Sequence, residues 1–175
     1  SDRERIAKRA RELSERVKEK LEEILKEVRK ISKDMKKRLE DILREAEELS
    51  RRIKEIVESG DSSDEVLKEH RDLLREIKEK LERLHEDHRR VLEEIKKRLE
   101  ELHKDHKRLL DDVDDKLRDD DELRKELEEV DDELRRKIEE IKKELETMDK
   151  ELRDRAKEIE KRLEDSNREV EERRR

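Results

Sequence analysis

The chain has 175 residues and a formal net charge of −7; 63% of its residues are charged, and none is cysteine, proline or aromatic. This composition excludes a disulfide framework, and no apolar run reaches the roughly 20 residues that a membrane span needs. No signal-peptide pattern is present, and charges of both signs are interspersed. We therefore expect a soluble protein without a targeting signal, and nucleic acid is not expected as a partner.

The first predicted element is a long amphipathic helix over about residues 2–58. Its apolar residues follow one another in steps of 4, 3, 4, 4 and 3, so five steps cover 18 residues. That pattern has the period of about 3.6 residues of a straight helix, whereas a left-handed coiled coil repeats at about 3.5. The pattern predicts a nearly straight helix with an apolar face about 120° wide, and it argues against disorder.

A loop at about 59–64 is predicted to follow, because Gly60 is the chain's only glycine and glycine commonly ends helices. Ser62 and Glu65 fit a capping box at the start of a second helix, at about 65–118. This helix has the same 18-residue period as the first. It is therefore predicted to present a similar apolar face.

A second loop at 119–121 is predicted from the phase of the apolar residues. Leu117 and Leu123 are six residues apart, a step that a continuous apolar stripe does not tolerate, although an unbroken helix remains the alternative. The third helix covers about 122–173. Because short loops force neighbouring helices to be antiparallel, the sequence predicts an all-α, up-down-up bundle of three long helices, as one domain over 1–175.

Polar residues interrupt the first two apolar faces at the same 18-residue spacing. Three histidines lie at the centre of the second face, and three serines lie within the first. Each histidine is as far after residue 60 as one serine is before it, so an antiparallel hairpin pairs them. A hydroxyl can both donate to and accept from a neutral imidazole, which favours buried hydrogen bonds. The predicted pairs are Ser14–His106, Ser32–His88 and Ser50–His70.

Further polar residues are secondary candidates for the same networks. Two more histidines lie at the edge of the second face, two aspartates lie next to the central histidines, and two polar residues of helix 3 lie near the His70 level. For that last pair, polar fraying at the chain end is the alternative reading. Opposite the serine–histidine pairs, helix 3 is expected to contribute apolar side chains. The secondary candidates are His85, His103, Asp87, Asp105, Ser166 and Asn167, and the apolar residues are Leu134, Leu152 and Val170.

The 18-residue period, the absence of aromatic residues and proline, and the three serine–histidine layers together resemble de novo designed parametric helical bundles with buried histidine hydrogen-bond networks. Such bundles are built to be stable at neutral pH and to loosen in mild acid, and some disturb membranes when they open. Many are homotrimers of two-helix hairpins, whereas this chain has three helices. The resemblance implies a synthetic, pH-responsive bundle and leaves self-association open.

Two functions fit these residues. In the first, protonation of the buried histidines makes stability or assembly depend on pH, because burial disfavours the charged imidazolium. In the second, the polar layers only specify register and oligomer state in an inert scaffold. Replacing the three central histidines distinguishes them, since acid sensitivity disappears only in the first.

Other functions have weaker support. The i,i+3 pairs His85/His88 and His103/His106 form a two-ligand clamp for zinc, but cysteine is absent and no acidic residue points clearly inward, so no metal and no cofactor are expected. There is no glycine-rich phosphate loop and no cysteine nucleophile, so we expect no catalytic residues and no enzyme. No natural partner is expected, and membrane contact is expected only if acid opens the bundle.

Overall fold

The computed structural model describes residues 1–60 and 64–174, and within them three long helices and no strand occur. Helix α1 spans Asp2–Ser59, α2 spans Asp64–Lys116 and α3 spans Asp121–Arg174. The all-α, three-helix prediction is therefore confirmed. The predicted capping box of Ser62 and Glu65 depends on a residue outside the described ranges.

The helix ends follow the local chemistry of the sequence. After α1, Gly60 has a φ of 70°, a left-handed conformation that side chains disfavour, and its N–H donates to the carbonyl of Val57 over 3.4 Å. Before α3, the Asp120 carboxylate accepts from the N–H of Leu123 over 3.0 Å, as an N-cap does. The helical conformation is thus interrupted between Leu117 and Leu123, where the phase break predicts it. Both leucines are buried.

The helices contribute to two compact units, and the first contains residues 1–31 and 91–146. Within it, α1 and α3 run parallel and α2 runs antiparallel to both, in the up-down-up order. Its apolar side chains form two clusters, and the larger one is centred on fully or almost fully buried residues such as Val28, Ile95, Leu99 and Leu145. Ion pairs border this core, including Lys137 Nζ to Glu22 Oε1 at 3.1 Å.

The second unit contains residues 32–90 and 147–175, of which the structure describes all but 61–63 and 175. Its helix segments again run up, down and up. The pairs Glu45–Lys80 and Arg38–Asp87 show that α1 and α2 are antiparallel, and the pairs Arg71–Glu171 and Lys78–Glu164 show the same for α2 and α3. Buried residues of all three helices, such as Leu49, Leu81 and Leu163, form its core. Across the described residues no large apolar side chain is exposed. The apolar faces predicted from the 18-residue period are therefore the faces buried between the helices.

Candidate functional site: three histidine layers

In the first unit one buried polar layer joins all three helices. This His106 layer consists of Ser14, His103, His106 and Asp131. Nε2 of His106 on α2 lies 3.0 Å from Oγ of Ser14 on α1, and its Nδ1 lies 3.1 Å from Oδ1 of Asp131 on α3. His106 is fully buried, and Ser14 and Asp131 are 3% and 5% exposed. The predicted Ser14–His106 contact is present, and a carboxylate completes it.

The partners of His106 determine where its proton resides. A carboxylate only accepts hydrogen bonds, so Nδ1 carries the hydrogen and donates it to Asp131. In the neutral ring Nε2 then accepts from the hydroxyl of Ser14. If Nε2 gains a proton, the same serine oxygen accepts from it and Asp131 balances the new charge. His106 therefore has hydrogen-bond partners in both protonation states.

The second unit contains the His88 layer, defined as Ser32, His85, His88 and Asp149. Nδ1 of His88 lies 3.3 Å from Oδ1 of Asp149 on α3, so the ring again donates to a carboxylate. Its Nε2 is buried and has no hydrogen-bond partner in the described part of the chain. The predicted Ser32–His88 bond is thus not formed. The bond to Asp149 through Nδ1 leaves Nε2 free, so the difference from the His106 layer lies at the serine: Ser32 is half-buried, whereas Ser14 is almost fully buried.

The His70 layer, also in the second unit, is defined by the 18-residue repeat as the equivalent positions Ser50, Leu67, His70 and Asn167. His70 is 4% exposed, and neither of its ring nitrogens has a hydrogen-bond partner among residues 1–60 and 64–174. The predicted Ser50–His70 bond is therefore not formed. An unsatisfied buried polar group costs about 1–3 kcal/mol, so this layer is the least favourable of the three.

His103 and His85 lie at the rim of the first two layers, as their position at the edge of the apolar face indicates. Nε2 of His103 lies 3.4 Å from Oδ1 of Asp131, and Nε2 of His85 lies 3.5 Å from Oδ1 of Asp149. Neither contact has hydrogen-bond geometry, so Nε2 of each of these two rings is buried without a hydrogen-bond partner in the described chain. Their side chains are 23% and 31% exposed. The corresponding position in the His70 layer is Leu67.

Burial shifts the titration of the three central histidines in one direction. Desolvation is the main cause that lowers the pKa of His70, His88 and His106 below the ordinary 6.5. For His88 and His106, the hydrogen bond and negative charge of Asp149 and Asp131 oppose this and limit the lowering of the pKa. For His70, the positive charge of Arg71 lowers the pKa further.

Asp131 and Asp149 each also have an arginine one helical turn away on α3. Nη2 of Arg135 lies 3.5 Å from Oδ2 of Asp131, and Nε of Arg153 lies 3.3 Å from Oδ2 of Asp149. These arginines leave Oδ1 to the histidines. They also reduce the penalty for a negative charge in a mostly buried position.

The aspartates expected to complete the networks lie elsewhere. Oδ2 of Asp87 pairs with Nη1 of Arg38 at 3.0 Å, and Oδ1 of Asp105 with Nη1 of Arg108 at 3.8 Å. Their place is taken by Asp131 and Asp149, which the sequence reasoning missed. An aspartate adjacent to a histidine in sequence points about 100° away from it around the helix, so it faces the rim.

The sequence contains a pattern from which Asp131 and Asp149 could have been identified. Asp131, Asp149 and Asn167 are also 18 residues apart, and an antiparallel turn at the second loop pairs each with a central histidine. The helix 3 residues expected opposite the pairs are buried, but in the His106 and His88 layers the polar contacts come from Asp131 and Asp149, three residues earlier. Those apolar residues are Leu134, Leu152 and Val170.

The two remaining candidates lie near the His70 layer. Ser166 and Ser50 line one cavity of about 350 Å³ in the second unit, together with Leu43, Ala46 and Ile159. Asn167 is partly exposed and occupies the position that is aspartate in the other two layers. The structure thus brings Ser50 and Ser166 to the same cavity, without a hydrogen bond from either to His70 among the described residues.

The His106 layer has the order of a hydroxyl, a base and an acid that nucleophilic enzymes use. Because the Ser14 hydroxyl is almost completely buried, a substrate cannot approach it while the unit is closed. What the layer can do is hold a proton between three helices. As for metals, no group of three or more suitable side chains in the described ranges is placed to hold an ion.

No protein-family model and no curated protein matches the chain. Among solved structures, it is similar to one described as a computationally designed three helix bundle, with 22% identity over 97% of this chain and 86% of that chain and a TM-score of 0.41. That description applies to the other protein, and a similarity of this size has no bearing on function. None of the described helices has a stretch long and apolar enough to cross a membrane.

Proposed function

We propose that the chain is a designed helical bundle whose stability depends on pH through its buried histidines. The observation that carries this proposal is the burial of three imidazoles, His70, His88 and His106, at 4%, 1% and 0% exposure inside apolar packing. A titratable group in such a position is neutral in the folded state and free to take up a proton when the chain unfolds.

The designed origin is inferred from the pattern of the sequence. One 18-residue period governs the apolar faces, the serines, the histidines and the acidic partners on helix 3. The complete absence of proline and aromatic residues from 175 positions supports the same inference. Such regularity is typical of a bundle generated from helix geometry rather than of an evolved domain.

The sign of the pH dependence follows from the lowered pKa of each central histidine. The unfolded chain binds protons at about pH 6.5, whereas the folded chain binds them only at lower pH. Stability is therefore full above about pH 6.5 and is lost as the pH falls through the unfolded and then the folded pKa values. Mild acid is expected to loosen the bundle.

A scaffold function is the second candidate, and the His106 layer favours it. Its two hydrogen bonds join α1, α2 and α3 at one level, so a shift in register would leave buried polar groups without partners. A bundle that used its layers only for this purpose would keep its topology across pH. It would lose uniqueness of structure when the layers were replaced.

The deciding experiment is a guanidinium titration followed by circular dichroism at several pH values between about 7.4 and 4. A triple variant with His70, His88 and His106 changed to Asn is compared with the parent. A double variant with His85 and His103 changed to Asn is the matched control, because it removes only the rim histidines.

We expect the parent and the control to lose stability between about pH 6.5 and 5, and the triple variant to be nearly independent of pH there, above the range in which carboxylates take up protons. Parallel pH profiles for the parent and the triple variant would reject the proposal. In that case the scaffold function would be the better account of the layers.

A further inference from the structure

The three layers differ in the charge that would surround a protonated ring. We propose that acid loosens the second unit before the first, beginning at the His70 layer, because this layer alone has no carboxylate to balance an imidazolium. The proposal rests on the pH-dependent stability proposed above and adds where in the chain the response starts.

The asymmetry is built into the 18-residue repeat of helix 3. The repeat places Asp131 and Asp149 at the His106 and His88 layers and Asn167 at the His70 layer. A neutral amide cannot supply the negative charge that the aspartates supply. The position four residues later changes as well. It is Arg135 and Arg153 in the first two repeats and Glu171 in the third.

The charged groups around His70 do not replace the missing aspartate. On α2, Arg71 adds a positive charge close to the ring. On α3, Oε1 of Glu171 lies 3.6 Å from Nη2 of Arg71, so this carboxylate is engaged by the arginine. Neither ring nitrogen of His70 has a hydrogen-bond partner in the described ranges.

Helix α1 faces this layer with Ser50, and its adjacent cations are also engaged. Nη2 of Arg51 and Nη2 of Arg52 each lie 4.0 Å from Oε1 of Glu48. Arg71, Arg51 and Arg52 therefore each have a carboxylate partner, and His70 itself has no hydrogen bond to a carboxylate in the described ranges. A proton on this ring would be a buried charge without compensation, which is strongly unfavourable.

In contrast, the rings of His88 and His106 each have a carboxylate that can balance the charge of a second proton. His88 and His106 already donate to Asp149 and Asp131, so an imidazolium there forms a buried ion pair. At His106 the new N–H would also meet the Ser14 oxygen at 3.0 Å. The rim histidines, which contact the same carboxylates, compete for that negative charge, and the flanking Arg135 and Arg153 reduce it without removing it.

Packing in the second unit supports the same conclusion independently. A groove of about 700 Å³ separates α1 and α3 there, lined by Met35, Leu39, Met148 and Leu152 among others. The 350 Å³ cavity that contains Ser50 and Ser166 lies between the same two helices. These spaces lie between α1 and α3, and the second of them is lined by Ser50, the α1 member of the His70 layer, so α1 and α3 are less closely packed near that level.

The test uses the full chain and two reciprocal substitutions at equivalent positions of the repeat. Asn167→Asp supplies a carboxylate to the His70 layer, and Asp149→Asn removes one from the His88 layer. For each protein, the guanidinium midpoint is measured at about pH 7.4 and about pH 5, and the ring protons of the histidines are titrated by NMR.

We expect Asn167→Asp to reduce the acid-induced fall in midpoint by more than half and Asp149→Asn to enlarge it. In the parent, hydrogen exchange at about pH 5.5 should show amides of 32–59 and 64–90 losing protection before those of 1–31, and the His70 ring should take up its proton together with that loss of protection. An unchanged fall in Asn167→Asp, or equal loss of protection in both units, would overturn the inference while leaving the pH dependence intact. A parent with no fall at all would reject the proposed function itself.

Discussion

The same substitution at two equivalent layers should change stability in opposite directions. His70→Leu and His106→Leu both replace an imidazole with an apolar side chain of similar size, 36 residues apart in the repeat. Because His70 has two buried ring nitrogens without partners in the described chain, its removal relieves a penalty. His106 has a partner for each nitrogen, so its removal leaves those partners unsatisfied.

The magnitudes follow from the price of an unsatisfied buried group, about 1–3 kcal/mol. His70→Leu should raise the free energy of unfolding at neutral pH by about this amount, since leucine leaves no polar atom at the site. His106→Leu should lower it by about 1–3 kcal/mol, because Asp131 loses its hydrogen bond and the Ser14 hydroxyl loses an acceptor. Asp131 keeps Arg135, which prevents a larger loss.

The assay is equilibrium unfolding in guanidinium at about pH 7.4, where His70 and His106, whose folded-state pKa values are lowered from 6.5, are neutral in both states. The parent and both variants are fitted with a common slope, and the signs of the two changes are compared. Destabilisation by both substitutions to a similar degree would refute the reasoning, because it would mean that His70 has partners comparable to those of His106. Stabilisation by both would mean that the hydrogen bonds of the His106 layer contribute nothing net.

Two further predictions concern single side chains. Ser14→Ala should destabilise the protein by about 1–3 kcal/mol at neutral pH, because it leaves Nε2 of His106 without a partner. Ser32→Ala, its equivalent in the repeat, should change stability by less than about 0.5 kcal/mol in the same denaturation assay, and equal losses would contradict the assigned contacts. Leu99→Ala should cost about 2–5 kcal/mol, since Leu99 is fully buried in the larger cluster of the first unit. A thermal melt unchanged by that substitution would show that the cluster is not packed as described.

The fold could be predicted because one period runs through the whole sequence. Steps averaging 3.6 residues leave a single apolar face on each helix, and the interruptions near Gly60 and between Leu117 and Leu123 determine the number of helices. The Ser14–His106 contact was predictable for the same reason, because an antiparallel hairpin with a known turn fixes which residues share a level. Periodicity also placed His85 and His103 at the rim.

The detailed contacts could not be predicted from phase alone. Phase places Ser32 and Ser50 near His88 and His70, but a hydrogen bond also requires suitable side-chain rotamers and a hydroxyl turned away from solvent. The choice of carboxylate depended on the register between α2 and α3, which the sequence specifies only once their loop is located. Asp87 and Asp105 were favoured by proximity in the chain, whereas Asp149 and Asp131 are close in space.

A carboxylate beside a buried histidine has two opposed effects on a pH-responsive bundle. At neutral pH it fixes the ring and satisfies its N–H, as Asp131 does for His106, and so strengthens the folded state. In acid it stabilises the imidazolium and so weakens the response that burial alone would give. A layer without a carboxylate, such as that of His70, reverses both effects: it lowers stability at neutral pH and sharpens the penalty for protonation. Under the pH dependence proposed above, the chain stays folded at neutral pH through the His106 and His88 layers and responds to acid mainly through the His70 layer.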